Sequence, residues 1–303
     1  MHYDALVVGG SFAGLSAALQ LARARKTVCI VDAGAPRNRF AAASHGFFGQ
    51  DGTPPLKMIA DASAKVLAYP NVTHIEGSVV AAHADGANGF VASLGHGEQR
   101  VSASRLVLAF GVQDGFPADI AGVSERWGTS VLHCPYCHGY EFSGRRLGIL
   151  IESPHPPDHA MLIAEWGPAT LFLNGNNTVD DEARAKLLAR GVAIEPGRIA
   201  ALEGPTPRDL SSVFLEDGRR VPLDAMFLVP RTRMGSPLAE QLGCAFDEGP
   251  FGPVIRTDAM KMTTVPGVFA AGDAAMMFHN ATLASADGVM AGTSLHRASV
   301  FGA

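Results

Sequence analysis

The segment Cys134-Pro135-Tyr136-Cys137-His138-Gly139-Tyr140-Glu141 carries the residues most able to do chemistry. Two cysteines separated by two residues can close a tight disulfide, and thiols at this spacing often ionise more readily than a free cysteine. The same spacing suits zinc, but a structural zinc site needs a second ligand pair at matching spacing. The remaining cysteines, Cys29 and Cys244, are isolated in the chain. A redox dithiol is therefore the leading reading, and no metal site is expected.

A redox pair needs an electron partner, and the N-terminus offers a place for one. Ala5-Leu6-Val7-Val8 is an apolar run that reads as a buried parallel strand. Gly9-Gly10-Ser11-Phe12-Ala13-Gly14 follows, then an Ala- and Leu-rich helix over 16–24, then a second strand over 27–31 ending in Asp32. In this strand–turn–helix–strand order Gly9 allows the tight turn and Gly14 allows close helix–strand packing. The free N–H groups and dipole of the helix start favour a pyrophosphate. Asp32, about 20 residues on, can accept hydrogen bonds from ribose hydroxyls. Ser11 replaces the usual middle glycine and still lets phosphate approach the backbone.

The acidic residue favours an unphosphorylated ribose, hence FAD or NAD, and the C-terminal region decides for FAD. Val268-Phe269-Ala270-Ala271-Gly272-Asp273 reads as a strand ending in an exposed carboxylate, and His279-Asn280-Ala281-Thr282-Leu283 opens a helix running to about Arg297. Asp273 can then bind the ribityl chain, and the helix start can stabilise charge at the N1–O2 edge of the flavin.

These motifs, with Leu106-Val107-Leu108-Ala109-Phe110-Gly111, resemble the thioredoxin reductase family of flavoproteins over nearly the whole chain. The resemblance implies an α/β protein of two Rossmann-like domains, the second inserted in the first. The FAD domain would comprise 1–114 plus 247–303, and the insert 115–246 would carry the cysteine pair. Gly115-Phe116-Pro117 and the stretch 243–252 would be the hinges. The resemblance also implies a homodimer and cofactor contacts from Gly9, Ser11, Phe12, Ala13, Gly14, Asp32, Arg39, His45, Val79, Ala109, Gly111, Gly272, Asp273, Asn280 and Ala281. By the same resemblance the stretches 37–40 and 44–52 wrap the isoalloxazine, with His45 as a second proton-transfer group; a plain glycine-rich loop with aromatic anchors is the alternative.

Two departures from the family pattern bear on function. The strand expected over 146–151 should lead into a glycine-rich phosphate turn, but the chain reads Glu152-Ser153-Pro154-His155-Pro156-Pro157-Asp158-His159. Prolines remove backbone donors there, and the two acids would repel phosphate. After the next strand, over 169–173, Asn174-Gly175-Asn176-Asn177 lacks the basic residues that NADPH-using members carry for the 2′-phosphate. The insert reads as a scaffold that no longer grips NADPH, with an unusual working site as the alternative. The second departure is His138, where thioredoxin reductases typically have an acid. A histidine there resembles the flavin-dependent dithiol oxidases that form disulfides of gliotoxin-type metabolites, and other divergent members without NADPH use. A neutral imidazole can take the proton of a thiol.

By this reading Cys134, Cys137 and His138 are catalytic, a small-molecule or thioredoxin-like dithiol or disulfide is the substrate, and molecular oxygen is the acceptor. Competing readings are an NADPH-dependent thioredoxin-disulfide reductase, a ferredoxin-linked disulfide reductase and a non-catalytic flavin sensor. Composition narrows the field further. The chain has 303 residues, is 47% hydrophobic and has a formal net charge of −5, which argues against nucleic acid or an anionic membrane as partner. No basic leader precedes the first strand and no apolar run is long enough to span a bilayer, so a soluble cytoplasmic protein is expected.

Overall fold

A computed structural model describes residues 1–95, 99–150, 158–176 and 179–302. The first strand, β1 (His2–Val8), lies at the centre of a sheet because its residues are apolar on both faces. Leu6 and Val8 enter one core, while Ala5 and Val7 enter the other. Helix α1 (Phe12–Arg23) and strand β2 (Val28–Asp32) follow as expected, with β2 parallel to β1. Helix α2 (Pro55–Leu67) leads to β3 (Val72–Glu76), which extends the parallel edge. Strands β4 (Val79–Ala84), β5 (Phe90–Leu94) and β6 (Gln99–Leu108) form an antiparallel meander. The long β6 gives one edge to β1 and shares the other between β5 and a strand from the far end of the chain.

Strand β7 (Val112–Gly115) leaves this domain. The insert holds α3 (Val123–Arg126), β8 (Val131–Leu132), α4 (Pro135–His138), β9 (Leu147–Leu150), α5 (Asp158–Ile163), β10 (Ala169–Phe172), α6 (Asp181–Ala189) and β11 (Ala193–Glu195). An antiparallel trio, β12 (Ile199–Glu203), β13 (Ser212–Leu215) and β14 (Arg220–Pro222), precedes β15 (Ala225–Leu228). Strands β11, β10, β9, β15 and β8 make a parallel sheet in that order. Its faces have separate cores: Leu147, Ile149 and Phe227 on one, Leu150, Met226 and Leu228 on the other. Helix α6 is a charged surface helix. Asp180 caps it by accepting from the Ala183 N–H at 2.8 Å, and its one buried residue is Leu187.

The return is made by β16 (Arg231–Met234), antiparallel to β7, so a two-stranded ribbon joins the domains. Helix α7 (Leu238–Leu242) then packs on the first domain. Leu238, Ala239 and Cys244, numbered within the expected insert, are buried with Leu6 and Leu106 in the first core. Strands β17 (Phe246–Glu248) and β18 (Pro253–Ile255) form a hairpin, β19 (Val268–Ala270) joins β6, and α8 (Ala281–Phe301) ends the chain. Helix α8 runs one turn beyond the expected Arg297, because Ala298 is still buried and the turn stops only at left-handed Gly302 (φ 76°).

The crossing of α1 and α8 is very close. A Cβ on Gly288 would lie 2.1 Å from the Ala13 carbonyl oxygen, and one on Gly292 would lie 2.5 Å from that of Ala17. Two glycines, one turn apart, let the C-terminal helix lie on the backbone of the first. No helix among the described residues is long and apolar enough to cross a membrane.

Candidate active site

The cysteine pair opens α4. Cys134 is the extended cap residue and Pro135 occupies the first helical position, where its missing N–H costs nothing. One helical turn brings Cys137 back over Cys134, and the two sulfurs are bonded with Cα atoms 5.3 Å apart. Gly139 is needed at the end of this turn, since a Cβ there would lie 2.6 Å from the Pro135 carbonyl oxygen and 2.9 Å from the Trp166 ring. Trp166 in turn meets the exposed Tyr136 edge-on at 5.6 Å. The other cysteines, Cys29 and Cys244, are buried in the first core. Burial pushes the Cys29 thiol up to about 11, out of reach of thiolate chemistry at neutral pH. Among the described residues no cluster of His, Cys, Asp and Glu can hold a metal ion.

His138 is half-buried behind the pair. Burial lowers its pKa below the usual histidine value; the Glu141 charge opposes that shift and His45 adds to it. The imidazole is therefore neutral at neutral pH and able to accept a proton. His45 comes from the loop expected to wrap the cofactor. Its Nε2 lies 3.3 Å from Glu141 Oε1 and its Nδ1 lies 3.4 Å from Asp51 Oδ1. The same loop is fixed by Thr282 Oγ1 donating to the Gly46 carbonyl (3.3 Å) and by Phe47 against Phe12 (6.1 Å).

The first-domain residues fit a dinucleotide. Gly9 has a positive φ of 106°, and a Cβ there would lie 2.3 Å from the Ala109 carbonyl oxygen, so the turn and the end of β6 interlock. The Gly10 N–H donates to Asp32 Oδ1 at 2.9 Å, holding the acid beside the turn. Ser11 caps α1 without a side-chain bond, leaving the first N–H groups for an anion. Gly272 sits against Ala13, and its N–H donates to Asp287 Oδ2 at 2.9 Å, which sets the turn carrying Asp273. Gly9, Ser11, Phe12, Ala13, Gly14, Asp32, Ala109, Gly272 and Asp273 thus converge. Gly111, with φ 66°, lies in the turn between β6 and β7. At α8 the Asn280 side chain itself accepts from the Thr282 and Leu283 N–H groups, so part of the expected anion-stabilising helix start is used by its own cap, next to Ala281.

Two expected contacts do not join this group. Val79 is buried in the first core opposite Leu94 on β5. Arg39 is exposed; it bonds the Pro36 carbonyl at 2.9 Å and lies over the Phe40 ring. Arg37, two residues earlier, is the arginine of this loop that reaches the Asp273 turn. Its guanidinium grips Asp114 with two nitrogens, Nε to Oδ2 at 3.0 Å and Nη2 to Oδ1 at 2.5 Å, while Nη1 reaches Asp273 at 2.9 Å. These carboxylates raise the guanidinium pKa against the lowering effect of burial.

Two further histidines were not found from sequence. His133 precedes Cys134 and His279 precedes Asn280, and each packs on Phe251, at 5.1 and 5.5 Å. Burial holds His133 down to about 3, aided by Arg37, His279 and His159. Among the described residues the buried Nδ1 atoms of His133 and His279 find no hydrogen-bond partner. Through the His133–Phe251–His279 contacts and the His45–Glu141 contact, the segment carrying the sulfur pair lies against the first domain near the start of α8. The glycine-free turn read over Glu152–His159 lies outside the described residues up to Pro157; Asp158 and His159 open α5. Asn177 is likewise outside them.

Comparison with known proteins agrees with this geometry. The family model described as pyridine nucleotide-disulphide oxidoreductase matches residues 3–150 and 167–288. Thioredoxin reductase tcpT of Claviceps purpurea is 33% identical over 95% of this chain and 92% of its own. Thioredoxin reductase sirT of Leptosphaeria maculans is 31% identical over 97% and 93%. An oxidoreductase structure from Agrobacterium tumefaciens superposes with a TM-score of 0.93 at 46% identity, covering 99% of both chains. HlmI gives 0.90 at 37% identity over 98% of this chain and 92% of its own. With a glycine-turn nucleotide site, a bonded cysteine pair facing it and this match over most of its length, the chain belongs to the pyridine nucleotide-disulphide oxidoreductase family as a thioredoxin reductase-like, flavin-dependent disulfide oxidoreductase.

Proposed function

We propose that this enzyme is a dithiol oxidase that works through Cys134 and Cys137 without NADPH. The observation that carries the reading is His138: a half-buried imidazole, held neutral, stands directly after the second cysteine. A group that arrives neutral is suited to taking protons from incoming thiols. FAD is held by the Gly9–Gly14 turn, Asp32 and the Gly272–Asp273 turn, and when bound it supplies the two-electron acceptor that restores the disulfide. His138 removes the proton of a substrate thiol. The thiolate attacks Cys134 Sγ, the bond to Cys137 breaks, and the electron pair stays on Cys137. The second substrate thiol then displaces Cys134, and the substrate leaves as a disulfide while both protein sulfurs are reduced. Molecular oxygen is the proposed final acceptor, and the likeness to the fungal thioredoxin reductases supports a substrate of the thiol–disulfide class.

One observation favours an NADPH-dependent thioredoxin reductase instead. The Arg198 side chain packs on Gly175, where a Cβ would lie 2.8 Å from its Nε, so a cation does stand beside the turn after β10. Anaerobic stopped-flow absorbance separates the two readings. Dithiothreitol is expected to bleach the flavin, with colour returning on admission of air, while NADPH and NADH leave it unchanged. Rapid stoichiometric bleaching by NADPH would establish the reductase.

A further inference from the structure

Glu141 stands between two imidazoles that come from different parts of the chain. His138 lies one helical turn before it, directly after Cys137, and the Glu141 charge acts on that ring. His45 reaches it from the first domain at 3.3 Å. The titratable groups facing His138 are therefore Glu141 and His45, and those facing His45 are Glu141 and Asp51. The Glu141 side chain is 41% exposed, His45 26% and Asp51 71%, so the row opens most widely to water at Asp51. The half-buried base at the disulfide is thus joined to water through a carboxylate and a second imidazole.

We propose that Glu141 is a positioning residue shared by both imidazoles, and that His138, Glu141 and His45 carry the proton of the substrate thiol from the disulfide to solvent. The inference rests on the thiol–disulfide exchange described above, not on the identity of the electron acceptor. In the step concerned the substrate S–H bond breaks and its proton goes to the His138 ring. The new bond joins the substrate sulfur to Cys134, and the electron pair of the broken Cys134–Cys137 bond remains on Cys137. The imidazolium so formed is stabilised by the adjacent carboxylate. His45 then accepts the proton from this pair and releases it toward Asp51 and water. Because Glu141 belongs to the insert and His45 to the first domain, the route exists only while the sulfurs face the first domain.

The test uses the FAD-loaded protein with Glu141→Gln, Glu141→Asp and His45→Asn. The His138 titration is followed by NMR of 13C-labelled histidine. The disulfide reduction rate is followed anaerobically with dithiothreitol, quenched by iodoacetamide and read by mass spectrometry of Cys134 and Cys137. Loss of the carboxylate removes an interaction that favours the charged ring, so the His138 titration moves to lower pH. The ring is then a weaker base toward the substrate thiol, and the reduction rate at neutral pH falls, by up to about ten-fold for one pKa unit. The dithiothreitol concentration for half-maximal rate stays the same, and Glu141→Asp recovers most of the loss. His45→Asn makes the rate depend on buffer concentration, and added imidazole restores it. An unmoved His138 titration in Glu141→Gln, or a slowed His45→Asn protein that imidazole does not rescue, overturns the proposal. Neither readout uses nicotinamide or oxygen, so this outcome is independent of the NADPH titration.

Discussion

Replacing Arg37 with methionine tests how the domain ribbon is tied to the nucleotide site. Arg37 is the shared cation of two acids that are otherwise distant in sequence: Asp114 at the end of β7, and Asp273 in the turn before α8. The three side chains are 20%, 6% and 18% exposed, so water offers them little alternative solvation. Methionine fills much of the same volume but leaves both carboxylates without their cation. Breaking a pair buried to this degree costs about 3 kcal/mol. For a domain of 150–250 residues each kcal/mol moves the midpoint by about 2–4 °C, so Tm should fall by roughly 9 °C. Differential scanning fluorimetry of the FAD-loaded protein measures this directly. Arg37→Lys keeps the charge but not the two-nitrogen grip on Asp114 and should lose about half as much. In the double variant Arg37→Met/Asp114→Leu much of the loss should return, because one abandoned charge has been removed. A Tm for Arg37→Met within about 1 °C of the parent would show that the network contributes no net stability, and the reasoning would fall.

Three further outcomes are expected. Gly288→Ala places a methyl 2.1 Å from the Ala13 carbonyl oxygen, which is backbone and cannot step aside, so it should destabilise by about 3 kcal/mol and weaken FAD retention through α1; chemical denaturation and flavin release on dilution both report it. His133 has a folded pKa of about 3 against an ordinary value of 6.5, so folding favours its neutral form. Its stabilising contribution is complete above pH 6.5 and is lost as pH falls from 6.5 toward 3, reaching about 2 kcal/mol by pH 5. Urea unfolding at pH 5 and pH 8 should show this difference shrinking in His133→Phe. Finally, thiol titration of the native protein should find no rapidly reacting cysteine before reduction and two after it, because Cys29 and Cys244 are buried; fast reaction of a third thiol would contradict that packing.

Much of the nucleotide site was legible because it is local. The turn Gly9–Gly14 and the acid Asp32 sit within one strand–helix–strand unit, where backbone conformation and spacing fix the geometry. The cysteine pair is local in the same sense, since one helical turn is enough to join it. The charged face of α6 and its Asp180 cap follow from a few neighbouring residues. Val79 was less legible, because an apolar residue on a strand carries no sign of whether it meets a ligand or the core, and its side chain lies in the core.

The choice between Arg37 and Arg39 could not be made from their own stretch of chain. Both are arginines in one loop, and the decision belongs to carboxylates 77 and 236 residues away. Phe251, which brings His133 and His279 together, likewise lies outside the local stretch of either. The same holds for α7, whose Leu238 and Ala239 pack in the first core rather than with the insert that precedes them, and for Glu141, which meets His45 across the domain boundary. Sequence determined the short-range elements, because their energies depend on neighbours a few residues apart. The electrostatic partners were set only by folding, because charge interactions depend on distance in space, and the two domains bring their charges together only when packed.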